Sequence, residues 1–147
     1  MSDEITRQAD RALEAALEIS GARDPREFYR ERLRDLKQAD PDGYQDAVAH
    51  YRDTLIPSVA DGSAAPLDAW TEYGRRLAEA LSPGRTVSID ESGKAHPYQG
   101  PDLSRLILHV PEHTGTRALL VGLPPALSPA QRATFDVLVS GKHRLRD

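Results

Sequence analysis

The spacing of apolar residues changes once along the chain, at Ser82-Pro83-Gly84. Before this point, apolar residues recur every three or four positions, which predicts amphipathic helices. After it, they alternate with polar residues or form short runs between turn residues, which predicts strands. This order predicts an α+β fold: a bundle of about four helices, then a four-stranded antiparallel meander, then a C-terminal helix packed on the sheet.

Start and stop signals place the four helices before the change. The first is predicted from about residue 3 to residue 20, with Gly21 as its stop. The next two begin at Asp24-Pro25 and Asp40-Pro41, because Asp can cap a helix and Pro suits its first turn. The third is expected to end or kink before Pro57. An apolar stripe defines the fourth helix: Leu67, Trp70, Gly74, Leu77 and Leu81.

Glycine in the middle of that stripe predicts a close neighbour. Gly74 costs about 1 kcal/mol of helix propensity relative to Ala. We therefore expect a backbone segment or a bulky side chain of another element to lie against it.

Turn residues divide the second half into strands. The first strand is predicted from Arg85, and a turn over residues 90–93 leads into a return strand that Pro97 confines to a sheet edge. Residues 106–110 and 117–123 are apolar on both faces, so we expect them to be the central pair, joined by the loop 111–116. A last helix is predicted from the capping box at Ser128 to a stop at Gly141.

The most linker-like stretch lies inside the helical half, between Pro57 and Pro66. It suggests a helical N-terminal subdomain over residues 1–56, a linker or hinge over 57–66, and a unit of helix, sheet and helix over 67–147. The apolar strands need cover on both faces, so we expect the two units to share one continuous core.

Composition narrows the class of protein. The chain has 147 residues, of which 39% are hydrophobic and 29% charged, and it has no cysteine. Disulfides and thiol chemistry are therefore excluded. The longest apolar run, Ala118 to Leu123, is far too short to span a membrane, and no signal-peptide pattern is present. We expect a cytoplasmic protein without a membrane-bound segment.

The chain contains no assembled catalytic motif. His109, Glu112 and His113 match the letters of a zinc-peptidase motif, but that chemistry needs a helix, and Pro111 and the strand-like flanks argue against one. His96 could form a weaker metal site by meeting His109 or His113. Asp90 and Glu91 are attributed to the hairpin turn. We therefore predict no cofactor and no catalytic residue, and regard a non-enzyme as the better interpretation.

The sharpest surface feature is a row of cations on the second helix, which we call the basic edge: Arg26, Arg30, Arg34 and Lys37. A row of like charges at helical spacing is mildly unfavourable alone, so it suggests an acidic neighbour. That neighbour could be the third helix, with Asp42, Asp46 and Asp53, or a partner protein or a second copy of the chain. The net charge of −4 makes nucleic acid an improbable partner.

Two functional hypotheses follow. The first is a protein-binding or self-associating module that contacts another protein, or a second copy of itself, through the helical half. The alternative is a small-molecule or metal-binding domain, or a weak enzyme, with a pocket between sheet and helices near Trp70, His96 and His109.

Overall fold

A computed structural model describes residues 2–102, 104–112 and 118–140. The helices are α1 (Ser2–Ser20), α2 (Arg26–Ala39), α3 (Pro41–His50), α4 (Ile56–Ala60), α5 (Pro66–Leu81) and α6 (Pro129–Ser140), and a π-helical turn at Tyr51–Leu55 joins α3 to α4. The strands are β1 (Gly84–Ile89), β2 (Ala95–Pro97), β3 (Leu106–Pro111) and β4 (Leu119–Gly122). The predicted α+β class, with helices first, then a four-stranded antiparallel sheet and a last helix, is confirmed.

The third helix, predicted to end or kink before Pro57, changes its hydrogen bonding there: α3 ends at His50, and α4 follows the π turn and contains the proline. The backbone N–H of Ile56 donates to the carbonyl of Tyr51, five residues back, so the helix widens just before the proline. Proline in a regular helix clashes with the preceding turn and lacks an N–H, and the widened turn lies directly before Pro57. The Ser58 hydroxyl, one residue after the proline, donates to the Thr54 carbonyl.

The predicted linker is partly helical. Residues 57–60 belong to α4, and Val59 is buried in the same core cluster as residues of α1, α2 and α5. The chain then turns at Gly62, which has a φ of +82°. The proposed domain boundaries at residues 56 and 67 stay a prediction.

Strand order departs from the predicted meander. The sheet runs β2-β1-β3-β4, so β1 and β3 are the central strands, and the prediction that 106–110 and 117–123 form the central pair is wrong. Because β2 is short and ends in Pro97, which has no N–H for a ladder, its free side offers little to a further strand. β3 therefore pairs with the other side of β1, while the edge position of Pro97 is confirmed.

The two faces of β4 are covered although the strand lies at an edge. α5 passes so close that a Cβ added to Gly122 would lie 3.2 Å from the Thr71 hydroxyl, and Val121 is fully buried. Its apolar character on both faces thus reflects covering helices rather than flanking strands. Residues 113–117, which hold most of the predicted loop, and the predicted stop at Gly141 lie outside the described residues.

Each face of the sheet has its own cover. Val87, Ile89, Leu106 and Leu108 form one face, against which Phe135 and Leu138 of α6 pack. The predicted capping box starts this helix: the Ser128 hydroxyl accepts from the Gln131 N–H at 3.1 Å, and the buried Gln131 amide donates to the Ile89 carbonyl at 2.9 Å. α6 is therefore tied to β1 as well as packed on it.

The opposite face looks toward the helical core. That core gathers apolar residues of α1, α2, α4 and α5 around Leu13, Tyr29, Leu36 and Leu77, all buried. None of the helices among the described residues combines the length and apolar character needed to cross a bilayer.

Tyr29 joins the helical core to the sheet. Its hydroxyl donates to the carbonyl of Val121 in β4, and its ring lies over Gly74 of α5. A Cβ added to Gly74 would fall inside contact distance of the Tyr29 hydroxyl, which confirms the expected close neighbour.

Gly74→Ala should therefore destabilise the protein despite the better helix propensity of Ala. Overpacking typically costs about 1–3 kcal/mol, more than the ~1 kcal/mol that propensity would add. Urea unfolding measures the net change. Because the clash involves the Tyr29 hydroxyl and the adjoining ring carbons, the loss should be smaller when Gly74→Ala is made in a Tyr29→Ala background, which removes all of these atoms. An equal loss in both backgrounds would show that another neighbour limits the site.

Candidate functional site

The structure divides the basic edge into one tethered residue and three exposed ones. Arg26 turns toward α1, and its guanidinium donates to both carboxylate oxygens of Asp24 at 2.7–3.2 Å. It also lies 3.4 Å from an Asp10 oxygen and 3.6 Å from a Glu14 oxygen. The hydrogen bond from Arg26 lowers the pKa of Asp24, and the same bond raises the pKa of Arg26. Arg26 is thus a structural ion-pair centre.

Arg30, Arg34 and Lys37, which we call the exposed cations, remain on the outer side of α2. Helical geometry places them within about 60° of one another and along roughly 10 Å of the axis. Within the described part of the chain none of the three forms an ion pair, although the Lys37 ammonium lies 5.6 Å from the Tyr44 ring centre. A short row of cations is therefore presented to solvent.

The acidic neighbour inside the protein is α1, not α3. Asp10 and Glu14 of α1 contact Arg26, whereas Asp53, just beyond α3, pairs with the adjacent Arg52 at 3.0 Å. Among the described residues, no carboxylate of α3 pairs with the basic edge. The hypothesis that α3 complements the edge is not supported.

Behind the edge lies an open cavity of about 470 Å³, which we call the aromatic cavity. It lies between α1, α2, the π turn and α5. Four aromatic side chains, one leucine and five charged side chains line it: Tyr29, Tyr51, Trp70 and Tyr73; Leu33; and Asp10, Asp24, Arg26, Glu27 and Arg30.

The rings of the aromatic cavity pack as one cluster. The Trp70 ring centre lies 6.2 Å from that of Tyr29, 5.7 Å from that of Tyr51 and 5.9 Å from that of Tyr73. Edge-to-face and offset pairs at such distances are favourable beyond the area they bury. Tyr29, Trp70 and Tyr73 are buried, whereas Tyr51 is only partly covered and forms the accessible wall.

Sequence reasoning missed this cavity. Trp70 was expected beside a pocket between sheet and helices, and nothing in the helical patterns around Tyr29 and Tyr51 distinguishes these residues from core residues. Their convergence depends on how α2 crosses α5 and on the π turn that carries Tyr51, neither of which a single helix pattern specifies. Only the unusual clustering of aromatic residues in the helical half was available as a signal.

No described cavity brings together Trp70, His96 and His109, the three residues expected near one pocket. Trp70 lines the aromatic cavity, whereas His96 lines a separate polar cavity of about 460 Å³ with Ser88 and Arg105. His109 is fully buried in β3, where its Nε2–H donates to the Ser82 carbonyl at 2.8 Å. The register explains the separation: His96 pairs with Ser88 and His109 with Thr86, so β1 lies between the two histidines.

Each described histidine of the sheet has a structural partner. His96 Nε2 lies 2.6 Å from Asp90 Oδ2, and Thr86 Oγ1 lies 3.3 Å from His109 Nδ1. The strand at His109 rules out the helix that the zinc-peptidase letters require, and His113 lies outside the described residues. Among the described side chains, no three potential metal ligands come together.

Asp90 organises the β1–β2 turn, as expected. Its Oδ1 accepts from the Ser92 hydroxyl at 2.6 Å, the Ser92 N–H at 2.9 Å and the Lys94 N–H at 3.1 Å. These bonds, with the contact to His96, hold the pKa of Asp90 well below its usual value of 3.8. Such a carboxylate is suited to fixing a turn, because a general acid or base at neutral pH needs a raised pKa.

Fold and site together define a small α+β protein with an open aromatic cavity and a row of exposed cations on α2, of which Arg30 also lines the cavity. Comparison with protein-family models, with curated proteins and with solved structures finds no match.

Arg26→Gln should lower the unfolding free energy by about 1–2 kcal/mol, because it leaves three carboxylates around an empty position. Arg34→Gln is the matched control at an exposed position of the same helix, where surface substitutions change stability by less than about 0.5 kcal/mol. Urea unfolding of both variants measures the difference. Equal losses would contradict the assignment of Arg26 as the tethered residue.

Asp90→Asn should remove a pH-dependent contribution to stability. Because the folded protein lowers the pKa of Asp90, its charge stabilises the fold above pH 3.8, and this stabilisation is lost as the pH falls below that value. The unfolding free energies of wild type and Asp90→Asn should differ at pH 5 and converge toward pH 2. Glu91→Gln, at the exposed neighbouring position, controls for general charge loss. A difference that stays constant over this range would refute the assignment.

Proposed function

We propose that the protein is a cytoplasmic binding module that contacts an acidic surface of another protein through the exposed cations of α2. The main support for this proposal is that Arg30, Arg34 and Lys37 lie together on the outer side of α2 without an ion pair among the described residues. Arg26 anchors this helix against α1 and so holds the row in a fixed position.

Charge balance supports an acidic partner. Three like charges on neighbouring turns repel one another by a few tenths of a kcal/mol per pair, and a complementary surface reverses this cost. Charges at the rim of an interface act mainly on the association rate and on specificity. A transient contact with strong salt dependence fits this arrangement better than a permanent one.

The exposed cations could alternatively meet a second copy of this chain, whose α1 carries Glu4 and Glu18 at exposed positions. The tethered Arg26 already uses Asp10 and Glu14 of that helix, which leaves a reduced acidic surface for such a contact. We therefore favour a different protein as the partner.

Replacing all three exposed cations by Gln should weaken partner binding at least about tenfold, since each interfacial charge contributes on the order of 0.5–1 kcal/mol. The partner is captured with wild-type protein, identified by mass spectrometry, purified and titrated against both forms at low and high salt. The control carries Gln at three other exposed cations: Arg7, Arg11 and Arg132.

Partner affinity that is unchanged by the α2 substitutions, or reduced equally by the control, would contradict the proposal. So would a partner that proves to be nucleic acid. Native mass spectrometry of the protein alone covers the remaining case, because a stable dimer that the α2 substitutions dissolve would assign the exposed cations to self-association.

A further inference from the structure

The aromatic cavity has the dimensions of a ligand site. Its volume of about 470 Å³ falls in the range of about 300–1,000 Å³ that small-molecule sites occupy. Its walls are largely fixed, because Tyr29, Trp70 and Tyr73 are held by the core. The partly covered ring of Tyr51 leaves one aromatic wall accessible from solvent.

The border of the cavity carries an excess of negative charge. Asp10 and Asp24, which line the cavity, share the guanidinium of Arg26 with Glu14, which is not part of the lining, so the group as a whole is anionic. Asp24 takes the shortest contacts, whereas the Asp10 oxygen lies at 3.4 Å from the guanidinium and is only weakly engaged. Glu27 adds a further carboxylate and Arg30 a further cation to the lining. The carboxylates therefore outnumber the guanidiniums.

Aromatic faces beside carboxylates attract one type of ligand in particular. The face of an aromatic ring is negative, and cations bind over it, more strongly when water is excluded. Burial of the ring, together with the charge of Asp10, raises the pKa of the Tyr51 phenol. Tyr51 and Asp10 both line the cavity, so the ring and the carboxylate can contact the same bound cation.

We propose that the aromatic cavity binds a small organic ammonium ion, with its apolar part among Trp70, Tyr73 and Leu33 and its charge between Tyr51 and Asp10. Arg30 at the rim repels such an ion and so limits its affinity. The site goes beyond the proposed contact of α2 with a protein, and Arg30 belongs to both surfaces with opposite effects.

Trp70 provides the readout, because it is the only tryptophan of the chain and lines the cavity. Three probes of similar shape are titrated at constant ionic strength while Trp70 fluorescence is recorded: benzyltrimethylammonium, benzyl alcohol and phenylacetate. We expect saturable binding of the cation with an affinity about tenfold above that of the neutral probe, and weaker binding still of the anion.

Three variants assign the charge effect. Asp10→Asn should weaken benzyltrimethylammonium binding several-fold, Arg30→Gln should strengthen it, and Glu31→Gln, an exposed carboxylate of α2 outside the cavity, should leave it unchanged. Far-UV circular dichroism of each variant establishes that the helices are retained.

The proposal is overturned if no probe produces a saturable fluorescence change at millimolar concentration. Equal or tighter binding of phenylacetate or benzyl alcohol overturns it as well. The two proposals can fail independently, because Arg30→Gln should weaken the binding of an acidic partner protein but strengthen the binding of an organic cation.

Discussion

The contact of Tyr29 with both Gly74 and the Val121 carbonyl is the constraint on which the arrangement depends. It brings α2, α5 and β4 together, because the Tyr29 ring of α2 packs on α5 and its hydroxyl donates to a backbone carbonyl of β4. Only glycine at position 74 leaves room for this ring, and burying the hydroxyl requires an acceptor, which Val121 provides. The helical part before Ser82 and the sheet after it are therefore joined by a contact to which α2, α5 and β4 all contribute.

Fixing Tyr29 also fixes the surface of α2. Once one side of the helix is packed on α5, the residues on either flank have defined surroundings: Arg26 faces the carboxylates of α1, and Arg30, Arg34 and Lys37 face solvent. The same placement leaves the aromatic cavity open between α1, α2 and α5. Both proposed binding surfaces are thus consequences of one packing contact, although they recruit different chemistry.

Local signals predicted much of this fold, because they act over a few residues. Pro97 predicted the edge position of β2, Ser128 and Gln131 predicted the start of α6, and Gly74 predicted a close neighbour. Features that depend on distant parts of the chain were missed. The apolar residues of β4 indicated burial without distinguishing strands from helices as the cover, and the partners of Arg26 lie one helix away. The aromatic cavity depends on how α2 crosses α5 and on the π turn that carries Tyr51, so no single stripe could reveal it.

The most direct test asks whether the helical core and the sheet open together. Trp70 fluorescence during urea unfolding reports on the helical core, and native-state hydrogen exchange of the β1 and β3 amides reports on the sheet. If Tyr29 couples the two parts, both methods should give the same unfolding free energy, and Tyr29→Phe should lower both together. A sheet that stays protected after the Trp70 cluster has opened, or a Tyr29→Phe effect confined to one part, would contradict this account.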